Sequence, residues 1–329
     1  QNQRTRLLTL VMCLVQGCGY IQLIQSGAGK FPSGTIATIL VFWTAGAMFA
    51  LWLGEQISEK GIGNGVSLMI FAGIMIGLPY QAQKLWKGIS DGNVHWFQVA
   101  ILVAIFLITT WLVVHFTSAQ RRIPVQHMRR MIGTKAIGGK TSYLPFSLLM
   151  AGVIPIIFAS SIIYLPAQFG SMLGGDKTPA GNLFLTIGNF ISPAPSQPIF
   201  HINFKINPIG CLVYLLMILF FSYFWNAIQY NVEDISNNLK RAGSIIPGVR
   251  PGKQTKDFLD DIISKLTIVG AVFIAGVALL QFITPAVTNI SYQYGVGAVG
   301  GTSLLILVSV ALETMRQIEA NLLMKQYDQ

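Results

Sequence analysis

Along the 329 residues, long apolar runs recur, broken by polar or glycine- and proline-rich connections. An α-helix rises 1.5 Å per residue, so about 20 mostly apolar residues cross the hydrocarbon core of a bilayer. Eight stretches meet that description: 7–25, 35–53, 66–79, 97–116, 147–165, 208–228, 266–283 and 303–323. The third is short if begun at Val66, but the glycines before it can extend it. The last carries Glu313 and Arg316, so its second half is expected to emerge from the hydrocarbon. In the long connection 166–207, Asn182-Leu-Phe-Leu-Thr-Ile187 suggests a short interfacial helix. Nothing outside these stretches reads as a soluble domain. The pattern predicts an all-α integral membrane protein, a multi-span helical bundle.

Composition points the same way. Apolar residues make up 53% of the chain, charged residues 10%, and the mean hydropathy is +0.59. A soluble domain carries roughly 25% charged residues; a surface facing lipid needs none, because it is itself apolar. The net charge of +10 is unevenly placed. Residues 1–6, 54–65, 117–146, 229–265 and the C-terminal end hold 17 of the 22 Lys and Arg. The alternate connections hold only Lys30, Lys84, Lys87, Lys177 and Lys205. Cytoplasmic connections retain Lys and Arg, which puts both ends of the chain in the cytoplasm, as an even number of spans requires. Two basic connections are long: Gln120-Arg-Arg-Ile-Pro124 to Gly138-Gly-Lys140, and Asn231 through Pro247-Gly-Val-Arg-Pro-Gly252 to Thr255. Their Gly and Pro content argues against simple helical hairpins.

Candidate chemistry is sparse. Cys13, Cys18 and Cys211 lie in apolar stretches without metal-ligand spacing and read as packing residues. The chain opens with Gln1, Arg4 and Arg6 rather than Met and a basic leader, which suggests a trimmed chain. Ionisable residues at membrane depth mark ion-coupled transport, and the spans nearly lack them. His115 ends its span, and Glu313 and Arg316, three apart, are expected to pair at the boundary. There is no G-x-S-x-G elbow and no H-E-x-x-H. Gly61-Ile-Gly-Asn-Gly65 matches neither phosphate-loop pattern and reads as a tight turn before a span. No catalytic constellation, cofactor or metal is implied, and conduction or scaffolding remains. The rivals are a secondary transporter, a membrane enzyme and an insertase without a pore.

Four segments carry a resemblance. Leu53-Gly-Glu-Gln-Ile-Ser-Glu-Lys-Gly-Ile-Gly-Asn-Gly65, Met150-Ala-Gly-Val-Ile-Pro-Ile-Ile-Phe-Ala-Ser-Ser-Ile162, Pro247-Gly-Val-Arg-Pro-Gly252 and Gly300-Gly-Thr-Ser-Leu-Leu-Ile306 resemble the SecY family of protein-conducting channels, in the family's order and spacing. The resemblance covers essentially the whole chain. It implies a channel subunit of two pseudo-symmetric halves, with these stretches as the third to tenth of ten spans. Residues 1–96 would be the remainder of the first half, and 97–329 the second half with cytoplasmic loops 117–146 and 229–265. Counterparts of the first two spans, with the plug helix and one wall of the lateral gate, are not among these residues; an N-terminally shortened chain is the expectation. Thr117-Ser-Ala119 stands where bacterial members often have Glu-Arg-Gly.

The resemblance also assigns roles. A protein channel must pass any sequence yet hold back ions, and a narrow apolar ring that excludes water does both. The ring residues would be Val66, Ile70, Ile157 and Ile306; Val66 and Ile70, four apart, share a helical face. The lateral exit would involve Gln16, Pro155, Ser160 and Ser161, with Pro155 favouring a kink and the polar groups bonding within or across helices. Arg121, Arg122 and Arg250 would dock the ribosome or the SecA motor. SecE and SecG are the implied membrane partners, and a secretory polypeptide and the lipid bilayer are the other contacts. A bacterial plasma membrane is the default location, with a plastid membrane as the alternative.

Overall fold

The computed structural model describes residues 2–28, 31–127, 130–132, 135–137, 141–173, 178–193, 207–288, 290 and 301–327. Gln1, Lys30, Gly138, Gly139, Lys140, Lys177, Lys205 and Gly300, named above, lie outside the described residues. Eight long helices fall on the eight apolar stretches: α1 (Asn2–Ala28), α2 (Ser33–Lys60), α3 (Gly65–Ser90), α4 (Trp96–Ser118), α5 (Ile154–Met172), α7 (Pro208–Gln229), α9 (Lys253–Thr288) and α10 (Thr302–Tyr327). Two shorter helices, α6 (Pro179–Ile191) and α8 (Val232–Arg241), lie between them, α6 where the interfacial helix was expected. By length and composition, α2, α3, α4, α5, α9 and the stretch starting at α7 can each cross a membrane. α1 holds a shorter apolar piece, Arg6–Ile21.

The helices start and stop where local chemistry directs. Asn64 Oδ1 accepts from the Val66 and Ser67 amides at 3.1 and 3.3 Å and caps α3. Gly63 has φ +91°, and a Cβ on Gly65 would sit 1.9 Å from the Gly54 carbonyl oxygen. The glycine run is thus a tight turn, as its sequence suggested. α5 begins seven residues after the apolar run does, because 148–153 form turns with Gly152 at φ +61°. Pro155 therefore lies in the first turn of α5, where its missing N–H has no intrahelical partner to lose. The kink expected there does not follow; Pro166 is the proline inside α5.

The main core joins α4, α5, α7, α9 and α10 through residues such as Val113, Ile156, Ala159, Ile218, Ala275 and Leu305. α1 and α2 pack as a hairpin beside it, tied by Arg6, which donates through Nε (3.2 Å) and Nη2 to the Glu55 carboxylate. α6 runs back along α5 at close range. A Cβ on Gly170 would lie 2.8 Å from the Leu185 amide nitrogen, and one on Gly188 2.9 Å from that of Ala167. Asn207 closes the end of α6, its Nδ2 donating to the carbonyls of Phe190 (2.7 Å) and Ser192 (3.3 Å).

The two basic connections are folded. β1 (Gln120–His127) and β4 (Thr141–Ser147) pair antiparallel, with Arg122 opposite Pro145 and Gln126 opposite Thr141. β5 (Ser244–Ile245), from the second connection, adds to β1 at Gln126 and His127. β2 (Arg130–Ile132) and β3 (Lys135–Ile137) form a separate ribbon. A second core fills the space beneath: Ile123, Val125, Phe146, Val232, Ile246 and Leu259. α9 reaches this core because its 36 residues span about 54 Å, well beyond the ~30 Å of hydrocarbon. The bundle is thus the expected helical membrane architecture, with a small β-built body on one end.

Candidate functional site

Three groups of residues were singled out from the sequence, and the structure treats them differently. The basic group sits on a turn and a strand held by hydrogen bonds. Arg250 is exposed at the tip of the turn Pro247-Gly248-Val249-Arg250-Pro251-Gly252. Gly248 and Gly252 have φ of +83° and +107°, a region that L side chains rarely adopt. Buried hydroxyls fix the turn from beneath. Thr255 Oγ1 donates to the Arg250 carbonyl at 2.9 Å, and Ser236 Oγ to the Gly252 carbonyl at 3.0 Å. Lys256 Nζ and Glu233 Oε2, 2.9 Å apart, join α9 to α8. Sequence reasoning missed Ser236 and Thr255; their place on the inner faces of α8 and α9 was the available signal.

Arg121 and Arg122 are exposed on β1. Successive strand residues point to opposite faces. Ile123 and Val125 are buried, so Arg121 shares their face at its open end, while Arg122 lies on the solvent face with Pro124. The pairing of β1 with β5 holds both arginines and the Arg250 turn on one body.

The exit group lies on helices that do pack together: α5 touches α1 and α7. Gln16 is half-buried on α1, next to the joint where Val15 and Gly19 meet Leu165, Gln168 and Phe169 of α5. Ser160 and Ser161 do not bond across helices. Both hydroxyls donate to the carbonyl of Ile157, at 3.0 and 2.7 Å. Beside the buried aliphatic contact of α5 with α7, Phe158 stacks on Phe221 (centroids 5.8 Å) and sits 6.3 Å from Trp225. Phe221 and Trp225 are four apart on one helical face, a spacing visible in the sequence. On its other side α7 is held to α9 by Asn226 Nδ2 donating to Thr267 Oγ1 at 2.6 Å, both residues buried.

The ring group is spread over α3, α5 and α10. Val66 and Ile70 lie in the first turns of α3, 47% and 37% exposed. Ile157 is half-buried in the first turn of α5, and Ile306, in the second turn of α10, is buried. α3 and α10 pack against each other, with Gly63 close to the Gln317 side chain. Glu313 and Arg316 form no salt bridge among the described residues; Arg316 Nη2 donates to the Thr117 carbonyl at 3.0 Å and ties α10 to the end of α4. Among the described residues no cluster of His, Cys, Asp and Glu is able to hold a metal.

A bundle of this kind, with an apolar core, lipid-suited outer faces and a folded basic body on one end, defines a multi-span helical membrane protein. Residues 1–315 match the family model described as SecY. The protein translocase subunit SecY of Synechocystis is 37% identical over 332 residues, 99% of this chain and 72% of the relative. That of Escherichia coli K12 is 36% identical over 338 residues, 99% of this chain and 71% of the relative. A solved protein-conducting channel shares the fold at a TM-score of 0.67 and 20% identity, over 96% of this chain and 72% of the other. Sec61 from a canine ribosome–channel complex does so at 0.61 and 17%, over 96% and 71%. This chain belongs to the SecY family.

Proposed function

We propose that this chain is the channel subunit of a protein translocase, passing unfolded secretory polypeptides across a membrane and releasing hydrophobic segments sideways into lipid. The observation that carries the reading is the family match over nearly the whole chain, in a fold shared with protein-conducting channels. The channel itself catalyses no reaction. Val66, Ile70, Ile157 and Ile306 are its apolar constriction, gating by dewetting. α1, α5 and α7 border the lateral exit, with Gln16, Pro155, Ser160 and Ser161 on its helices. Arg121, Arg122 and Arg250 dock the translating ribosome or the SecA motor, since Arg suits both phosphate oxygens and carboxylates. SecE and SecG complete the membrane complex, in a bacterial plasma membrane. The two halves divide near residue 96; in support, the main core draws on the five long helices after that point.

The test is site-specific crosslinking from Ile157 and Ile306 to a stalled secretory chain, in the full-length protein with SecE present. Crosslinks to successive passenger positions are expected. Their absence with the passenger shown to be engaged would remove the ring assignment, and a saturable flux of a small solute would favour a transporter instead.

A further inference from the structure

A small cavity lies where α5, α7 and α9 meet, at the inner end of α6. Its walls are Ser160, Ile163 and Tyr164 of α5, Pro193 after α6, Tyr214 of α7, and Gln281 and Phe282 of α9. Tyr214 is 1% exposed, and its ring meets Phe282 edge-on at 5.9 Å between centroids. Its hydroxyl has no hydrogen-bond partner among the described residues. A buried hydroxyl without a partner forfeits its hydration, so native interiors almost always supply one.

The cavity has room for one water-sized molecule. An apolar hole stays dry, whereas a site with two to four polar partners retains a water. Four lining residues carry such groups. Tyr214 can both donate and accept. Ser160 Oγ spends its proton on the Ile157 carbonyl and keeps lone pairs that accept. Gln281 Oε1 accepts from Thr302 Oγ1 at 3.0 Å, which leaves the amide nitrogen as a donor. Tyr164, 47% exposed, brings a second phenol at the open side of the cavity.

We propose that this cavity is a built site for one ordered water molecule, which bridges the Tyr214 hydroxyl to polar groups of α5 and α9. The site joins three helices that otherwise meet here through apolar contacts. It does not rest on the assignment of ring, exit or docking residues, although Ser160 belongs to the exit group as well.

The test compares the full-length channel with Tyr214→Phe in lipid nanodiscs, by cryo-EM at a resolution that shows water and by thermal unfolding. The wild type is expected to show a density peak at hydrogen-bond distance from Tyr214 Oη, roughly 2.7–3.0 Å, and the variant to lose it. The sign of the stability change separates the cases. Removing a hydroxyl that serves a bound water lowers the unfolding midpoint, whereas removing one buried in a dry hole raises it or leaves it unchanged. A wild-type cavity without density among resolved side chains, a direct bond from Tyr214 Oη to a protein atom, or a midpoint that does not fall in Tyr214→Phe would each overturn the proposal.

Discussion

At Arg250 the side chain supplies the charge and two glycines supply its position. A Cβ on Gly248 or Gly252 would meet nothing within 4 Å, so space does not select glycine there; the positive φ does. Replacing Gly248 by Ala strains the turn by about 1–2 kcal/mol, while Asn, which tolerates this conformation better, does less harm. If Arg250 docks a ribosome or motor, Gly248→Ala weakens that binding and Gly248→Asn weakens it less, measured by co-sedimentation with channel-containing membranes. Equal binding by both variants and the parent would show that the turn need not be held. Arg250→Glu is expected to stop translocation while leaving the channel inserted, and normal export of a reporter by that variant would refute the docking role. The opposed faces of Arg121 and Arg122 bear on the same question. A partner lying on the solvent face of the sheet meets Arg122, so Arg122→Ala should reduce binding more than Arg121→Ala.

At the scale of elements, hydropathy located the parts that sit in lipid and missed what continues beyond it. α3 runs to Ser90 although its apolar run stops near Pro79, because Gln81, Gln83 and Lys84 propagate a helix and one internal proline removes a single backbone bond. α9 starts thirteen residues before its apolar run. Leu259, Ile262 and Ile263 there follow the helical period and fill the second core. From the sequence, 117–146 reads as a loop with no strand in it; β1 pairs with β4 nearby, but its second partner β5 is two residues long and lies more than a hundred residues away. No local pattern announces such a pairing. The exit residues show the same limit. Polar side chains drew attention to Ser160 and Ser161, whose hydroxyls bond within their own helix and so add nothing between helices. Between α5 and α7, Phe158 meets Phe221 and Trp225 at the outer edge of the buried contact made by Ile156, Ala159, Tyr214 and Ile218. An aromatic pair contributes about 0.5–1.5 kcal/mol beyond its buried area. If α5 and α7 border the exit, Phe158→Ala loosens that seam, and passengers with weakened signal segments are expected to be exported several-fold better. An export assay with such a passenger checks this, and unchanged or lower export would show that the seam does not restrain opening.

The whole molecule combines two bodies built on different solvents. Helices α4, α5, α7, α9 and α10 share a core, yet many of their large side chains, Trp111, Phe220 and Leu216 among them, stay exposed. In water that surface would drive aggregation; in lipid it is the expected exterior. The sheet body is different, since its strands and turn carry Arg121, Arg122 and Arg250 around a core of its own. α9 runs through both, so the orientation of one fixes the orientation of the other. Arg6 and Glu55 also pair, which puts the start of α1 and the end of α2 on one side of the bundle. The positive-inside rule then predicts that this side, with the sheet body, faces the cytoplasm. Alkylation of single cysteines decides it, in a background where Cys13, Cys18 and Cys211 are replaced by Ala. A cysteine at Arg250 should react with a membrane-impermeant reagent only from the cytoplasmic face, and one at Thr178, ahead of α6, only from the opposite face. Labelling of both from one face would break the alternation on which a count of eight spans depends, because α7 is the one crossing between the two positions and α6 lies outside the hydrocarbon. Labelling with the sides reversed would keep the count and overturn the charge argument, and with it the docking of any cytoplasmic partner on the arginines.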